Sequence, residues 1–166
     1  MKMAYILSKQ RDHDEFEKRK KAWDRYDKYL KRNQDCFPPN AFALAISEWY
    51  YNFNDHRCPH DGALEELSFH EFDAPHKKHR RCVSLSITLL SGFGDKQLIF
   101  HYPVVYAYSL SKPSSVGGHV DWRYDEFRLT RAGHLLHEIE WCGISDKDAR
   151  WIIEASDVEV IVKDLK

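Results

Sequence analysis

The residues best suited to chemistry sit in one seven-residue run, Asp55-His56-Arg57-Cys58-Pro59-His60-Asp61. Cys58 and His60 are both zinc-ligand types, and His56, Asp61 or a distant histidine such as His137 could complete a four-ligand shell. The spacing is Cys-x-His, however, and no second Cys/His pair follows at finger or ribbon spacing. The other candidates, His101, His134, His137 and Cys142, are scattered. The plainer reading is a loop ordered by Asx turns and side-chain hydrogen bonds, with Pro59 fixing the bend. The run therefore supports one alternative function, a small ligand- or metal-binding domain or enzyme. Its pocket would be lined by His56, Cys58, His60 and Asp61 with His119 or His137, and zinc would be its only cofactor.

A second candidate is the segment 111–121 leading into Trp122-Arg123-Tyr124-Asp125-Glu126. Gly117-Gly118 permits backbone shapes that could form an anion-binding nest, but a P-loop lysine and its helix are missing. His119, Asp121, Trp122, Arg123, Tyr124, Asp125 and Glu126 together have the composition of an interaction hot spot, rich in Trp, Tyr and Arg. They are the expected partner-binding residues. The segment His137-Glu138-Ile139-Glu140-Trp141 is only superficially similar to HExxH, since the second histidine is absent. As a strand it would put His137, Ile139 and Trp141 on one face and Glu138 and Glu140 on the other. Paired carboxylates can do acid–base work, but two acids on the wet face of a sheet are the commoner explanation. No Gly-x-Ser-x-Gly elbow exists, and no cysteine sits in a nucleophile context. His70, His76 and His79, beside Lys77-Lys78 and Arg80-Arg81, read as a solvated basic turn. No catalytic residue is assigned.

The elements that must hold these residues follow from periodicity. Residues 11–33 read as a helix with a narrow stripe of Phe16, Trp23, Tyr26 and Leu30; Asp12, Asp14, Glu15 and Glu17 lie near its start and Lys28, Lys31 and Arg32 near its end. A second helix is expected over 40–53, capped by Asn40, with Phe42, Ala45, Ile46, Trp49 and Phe53 on the face packed deeply against a sheet. The charged first helix is expected outside it. From residue 64 onward, apolar and polar side chains alternate with a period of two, as in Val83, Leu85, Ile87 and Leu89 against Ser84, Ser86 and Thr88. Strands are expected at 64–72, 81–90, 96–102, 104–110, 122–129, 134–142, 150–155 and 158–163. Residues 91–95 and 130–133 are hairpin turns by composition, and Pro103 should mark a strand junction. Short links favour antiparallel neighbours. The expected fold is α+β: two N-terminal helices packed on a twisted antiparallel β-meander of six to eight strands, in a single domain over 1–166. Residues 1–36 would form its charged helical part and 37–166 the helix plus sheet.

The 166 residues carry 25 Lys/Arg and 26 Asp/Glu, and 43% of them are hydrophobic, which excludes a disordered chain. Residues 9–32 hold ten Lys/Arg against six Asp/Glu, so a basic element lies on an acidic remainder. That helix could meet a charged partner, or simply dock on its own sheet. Nucleic-acid binding is not expected, because acidic residues run through the helix and the chain is not basic overall. The four cysteines show no CxxC pairing, and the start has no signal or membrane-spanning run, which together imply a cytoplasmic protein with free thiols and no membrane partner.

The motifs DHRCPHD (55–61), PSSVGGHVDWRYDE (113–126) and LHEIEW (136–141) resemble those of a set of uncharacterised bacterial proteins of similar length. In size and in its helix-plus-meander pattern, the chain is also similar to immunity proteins that bacteria pair with toxins. That likeness implies a non-catalytic protein-interaction module, with a toxin as its protein partner.

Overall fold

The computed structural model describes residues 4–7, 16–74, 80–112, 117–142 and 149–165, and for residues 16, 18 and 19 the backbone alone. It contains helix α1 (Phe16–Asn33), a 3-10 turn (Gln34–Cys36), helix α2 (Pro39–Ala45) and eight strands. The strands are β1 (Gly62–Asp73), β2 (Arg81–Leu90), β3 (Lys96–Tyr102), β4 (Val105–Leu110), β5 (Asp121–Leu129), β6 (Leu135–Trp141), β7 (Ala149–Ala155) and β8 (Glu159–Asp164). Each lies within two residues of where alternation places it. The two hairpin turns form as their composition requires, with Gly94 at φ +74° and Gly133 at φ +83°, a region closed to most side chains. Asp12, Asp14, Glu15, His76, Lys77, Lys78, His79 and the stretch 113–116 fall outside the described residues.

The eight strands form one antiparallel sheet in the order β4-β7-β6-β5-β1-β2-β3-β8. The fold is thus α+β, with the sheet dominant. The meander is interrupted: β1-β2-β3 and β5-β6-β7 are meanders, but β3–β4, β4–β5 and β7–β8 are not neighbours. Pro103 stands where β3 gives way to β4, and β4 then pairs along β7. The sheet rolls over on itself. Leu85, Ile87 and Leu89 of β2 and Phe100 and Tyr102 of β3 are buried together with Trp122, Phe127, Ile139, Trp141, Trp151 and Ile153 of β5–β7. Phe100 stacks on Trp122 with ring centroids 5.0 Å apart.

The two halves meet at a narrow joint. β1 pairs with β5 only at Gly62↔Trp122 and Ala63↔Asp121. Gly62 is required there, because a Cβ would stand 2.8 Å from the Pro59 carbonyl oxygen and 3.2 Å from that of Leu90. Beyond the joint, β5 has lost its strand neighbour, and α1 takes that place. Tyr26 Oη accepts the Phe127 N–H (2.8 Å) and donates to the Phe127 carbonyl (3.1 Å). Tyr29 Oη accepts the Leu129 N–H at 2.8 Å. Glu126 Oε2 accepts the N–H groups of Tyr5, Ile6 and Leu7 at 2.9, 2.7 and 3.2 Å. Side chains thus satisfy an edge that would otherwise invite another strand.

The helices differ from expectation in two ways. The charged helix α1 meets the sheet directly, burying Ala22, Tyr26 and Leu30, with Trp23 half-buried. Helix α2 ends at Ala45, because Ser47 turns back on it: its N–H and hydroxyl both bond the Leu44 carbonyl. Ile46 and Phe53 of the expected packed face are consequently exposed. Asn40 does not cap α2. Asp157, between β7 and β8, accepts the N–H groups of Asn40 (3.2 Å) and Ala41 (2.9 Å) instead. The turns after α2 drive Tyr50 into the core, where it packs on Phe127 at 5.6 Å and Phe100 at 6.3 Å.

Two stability predictions follow from the β5 edge. Gly62→Ala forces one of two backbone carbonyls to move and should cost about 2 kcal/mol, read as a lower midpoint in urea unfolding. Tyr26→Phe strands the Phe127 N–H and carbonyl without a partner and should cost about 1–3 kcal/mol, with faster amide exchange at Phe127.

Candidate functional site

Strand β5 carries the side chains around which both polar clusters of the protein are built. A register shift between Trp122 and Tyr124 makes Arg123 an extra residue opposite β6, a β-bulge. The bulge resets the alternation, so Trp122 and Asp125 both point inward, although plain alternation separates them. On the inner face, Asp125 is the centre of a sealed network. Its Oδ2 accepts the Tyr50 hydroxyl (2.9 Å) and lies 3.0 Å from His137 Nε2; its Oδ1 accepts Trp122 Nε1 at 3.1 Å. The other ring nitrogen, His137 Nδ1, is 2.6 Å from Tyr102 Oη. Burial pushes the Tyr102 and Tyr50 hydroxyls well above the usual tyrosine range, and the nearby Asp125 charge pushes the same way. Tyr102 and Tyr50 thus keep their protons, and the direction of the bond between Tyr102 Oη and His137 Nδ1 is set by the tautomer of the ring.

A Tyr–His–Asp series of this kind has the parts of a proton relay. Tyr102, His137 and Trp122 are 0% exposed and Asp125 is 2% exposed, so no substrate reaches it. Its chemistry is that of a satisfied polar core. This corrects two expectations. His137 lines no pocket with the 55–61 loop, and Trp122 and Asp125 cannot belong to a surface patch.

On the outer face, Glu126, Glu138 and Glu140 are buried, not wet. They alternate with guanidinium groups in a chain. Arg128 Nε lies 2.9 Å from Glu126, and Arg128 also pairs with Glu138; Arg150 bonds Glu138 at 2.7 Å and Glu140 at 2.9 Å. Arg123 Nε lies 3.9 Å from Glu140. Burial raises the Glu126 carboxyl above the usual range, opposed by Arg128 and the three N–H donors. Each acid is committed to a cation, which removes Glu138 and Glu140 as a free acid–base pair and takes Glu126 out of the expected surface patch.

The 55–61 loop does not assemble ligands. His56 stacks on Phe93 at 4.0 Å and pairs with Asp95 at 2.8 Å, and this bond draws the Asp95 carboxyl below its usual range. Cys58 is buried, its thiol donates to the Tyr50 carbonyl at 2.9 Å, and burial pushes it up to about 12. Asp61 adopts a left-handed backbone at φ +61° that delivers the chain into the Gly62 joint. Among the described residues, no three His, Cys, Asp or Glu side chains could hold a metal ion. All four cysteines are free.

The two sequence candidates nevertheless meet on the surface. His60 Nδ1 bonds the Arg123 carbonyl, and the His60 ring stacks on Phe53 at 4.0 Å with Tyr124 tilted against both rings, 5.2 Å from His60 and 5.9 Å from Phe53. The Arg123 guanidinium lies 5.8 Å from the centre of the Tyr124 ring. Phe53 is 41% exposed and the Asp61 side chain 70%. His119 stands apart, half-buried at 5.0 Å from Trp151, where burial lowers its pKa, and Asp121 is taken up at the β1–β5 joint. Sequence reasoning missed Phe53, Tyr50, Tyr102 and Arg150. Of these, only Arg150 left a signal, as the cation needed opposite an acidic outer face on β6. No helix is long and apolar enough to cross a membrane among the described residues. The chain matches no protein-family model, no curated protein and no solved structure.

Asp125→Ala leaves three buried donors unpaired at once. It should destabilise the fold by about 3–5 kcal/mol, measured by chemical denaturation. A protein that kept wild-type stability would mean the network is not structural.

Proposed function

We propose that this protein is a non-catalytic interaction module that recognises a protein partner through Phe53, His60, Arg123 and Tyr124, with Asp61 at the rim. One observation carries the reading: a loop and a strand far apart in sequence bring their residues to a single aromatic and cationic surface, while the Asp125 network is sealed inside. Aromatic and arginine side chains held rigid by stacking are the anchors from which hot spots are built. They lose little rotamer freedom on binding, since mutual ring contacts among Phe53, His60 and Tyr124 already hold them. The particular form we favour is an immunity-type protein, of bacterial origin and acting in the cytoplasm, that covers the working surface of a toxin. The likeness in size and helix-plus-sheet architecture supports the immunity form, the motifs support a bacterial origin, and the free thiols suit a reducing compartment.

The experiment is capture from lysate of the source organism with the intact protein as bait, followed by mass spectrometry. Phe53→Ala and Arg123→Ala should each weaken the captured complex tenfold or more, on the order of a hot-spot truncation. Their unfolding free energies should stay within about 0.5 kcal/mol of wild type, as for surface substitutions. Undiminished capture by both variants would reject the patch. Neutralisation requires that the purified partner lose its activity at one equivalent of this protein; a partner that stays active in the complex rejects the immunity form alone.

A further inference from the structure

A cleft of about 500 Å³ opens between α1 and β5, walled by Arg25, Lys28 and Arg32 on the helix and floored by Tyr5, Tyr29 and Arg128. Spacings of three and four residues put the three helix cations on one face, about one turn apart over about 10 Å. Like charges so placed repel one another unless something neutralises them. Elsewhere on α1 a carboxylate does so: Lys31 is held by Asp27 at 2.7 Å. Among the described residues, no carboxylate pairs with Arg25, Lys28 or Arg32. Glu126, beneath the floor, is committed to Arg128 and to the N–H groups of residues 5–7. Arg25 Nε is buried, with no hydrogen-bond partner among the described residues. Tyr5 and Tyr29 stack at 4.8 Å and give the cleft a rigid aromatic floor.

The site thus concentrates positive charge in a concave, partly desolvated space, where attraction for an anion is stronger than on an open helix. One carboxylate or one phosphate spans only one turn of the row, so occupying all three cations takes linked anionic groups. Arginine meets phosphate oxygens as a two-pronged fork and lysine as a point charge. The volume is that of a nucleotide-sized molecule. We propose that this cleft binds a small ligand carrying two or more linked phosphate groups. The site is separate from the Phe53–Tyr124 patch, using the far end of β5, and stands or falls independently of it.

The test is isothermal titration of the intact protein with sodium tripolyphosphate at about 150 mM salt, where non-specific surface attraction is largely screened. Saturable binding at one site is expected. The double variant Lys28→Gln/Arg32→Gln should weaken it at least about tenfold. The exposed pair Lys20→Gln/Lys163→Gln changes net charge equally and should leave it within about twofold. Arg25 is kept out of the first variant because its Nε is buried; Arg25→Gln, with its fold checked by thermal melting, should weaken binding as well. No saturable binding, or equal loss in both double variants, overturns the site. A single-stranded RNA that displaces tripolyphosphate and binds more tightly as it lengthens overturns the small-ligand assignment and gives the cleft to a nucleic-acid backbone.

Discussion

The rest of this structure depends on β5 parting from β1 after two residue pairs. A strand that loses its neighbour inside a protein must find partners for its N–H and carbonyl groups or sacrifice more than its packing gains. Here the N-terminal segment supplies them. Tyr26 belongs to the apolar stripe on α1 and Tyr29 follows it three residues later, so the contacts that bury the helix also bring their hydroxyls to the strand edge. The charged helix therefore docks directly on the sheet, and α2 and the turns behind it are left to fill the space beside β5 with Tyr50. The joint at Gly62 is narrow because the Pro59 and Leu90 carbonyls already crowd it. Helix docking, the inward turn of Tyr50 and the sealed Asp125 network are consequences of one short pairing.

Strands β5 and β6 are largely buried on both faces, which is costly for a segment as charged as DWRYDEFRL. Two solutions share the strand. On the inner face a single carboxylate is surrounded by three donors from Tyr50, Trp122 and His137. On the outer face Glu126 stands directly opposite Glu138, a repulsive pairing by itself. Arg128 and Arg150 bridge them, and the chain from Glu126 to Arg123 carries as many cations as carboxylates. Slipping β5 by one residue would put Glu126 and Arg128 among the tryptophans and Phe127 among the carboxylates and guanidinium groups of the outer face. The polar groups make that alternative far more expensive than an apolar core would, so they fix the register even where they add little net stability.

The strands were legible because the signal is local. Alternation in β2 and β3, turn glycines at 94 and 133 and the break at Pro103 need no knowledge of distant residues. Strand order was not legible, because pairing β4 with β7 and β8 with β3 depends on contacts tens of residues apart. The length of α2 was misread for a related reason: Phe42, Ala45, Ile46, Trp49 and Phe53 keep helical spacing, yet Ser47 ends the helix and Ile46 faces water. Asn40 has cap chemistry, but a carboxylate 117 residues away outcompetes it. Charged residues on β5 and β6 read as a wet face, since nothing in either strand alone announces the guanidinium groups that neutralise them.

The candidate patch was legible in composition and not in membership, and the bulge explains the difference. Reading residues 121–126 as one exposed cluster treats Trp122, Tyr124 and Glu126 as alternating neighbours on a single face. The extra residue, Arg123, breaks that alternation: Trp122 turns in to face Trp141, while Tyr124 turns out opposite Glu140. The hydrogen bond from Trp122 to Asp125 spans the irregularity from inside and holds it in place. Outside, the displaced backbone offers the Arg123 carbonyl to His60, which brings the 55–61 loop, and Phe53 just before it, against Tyr124. A regular strand would leave that carbonyl in the ladder and the loop without its anchor. The exposed aromatic surface and the sealed network are thus two sides of one bulge, and its conformation sets the position of Tyr124 and Arg123 before any partner arrives.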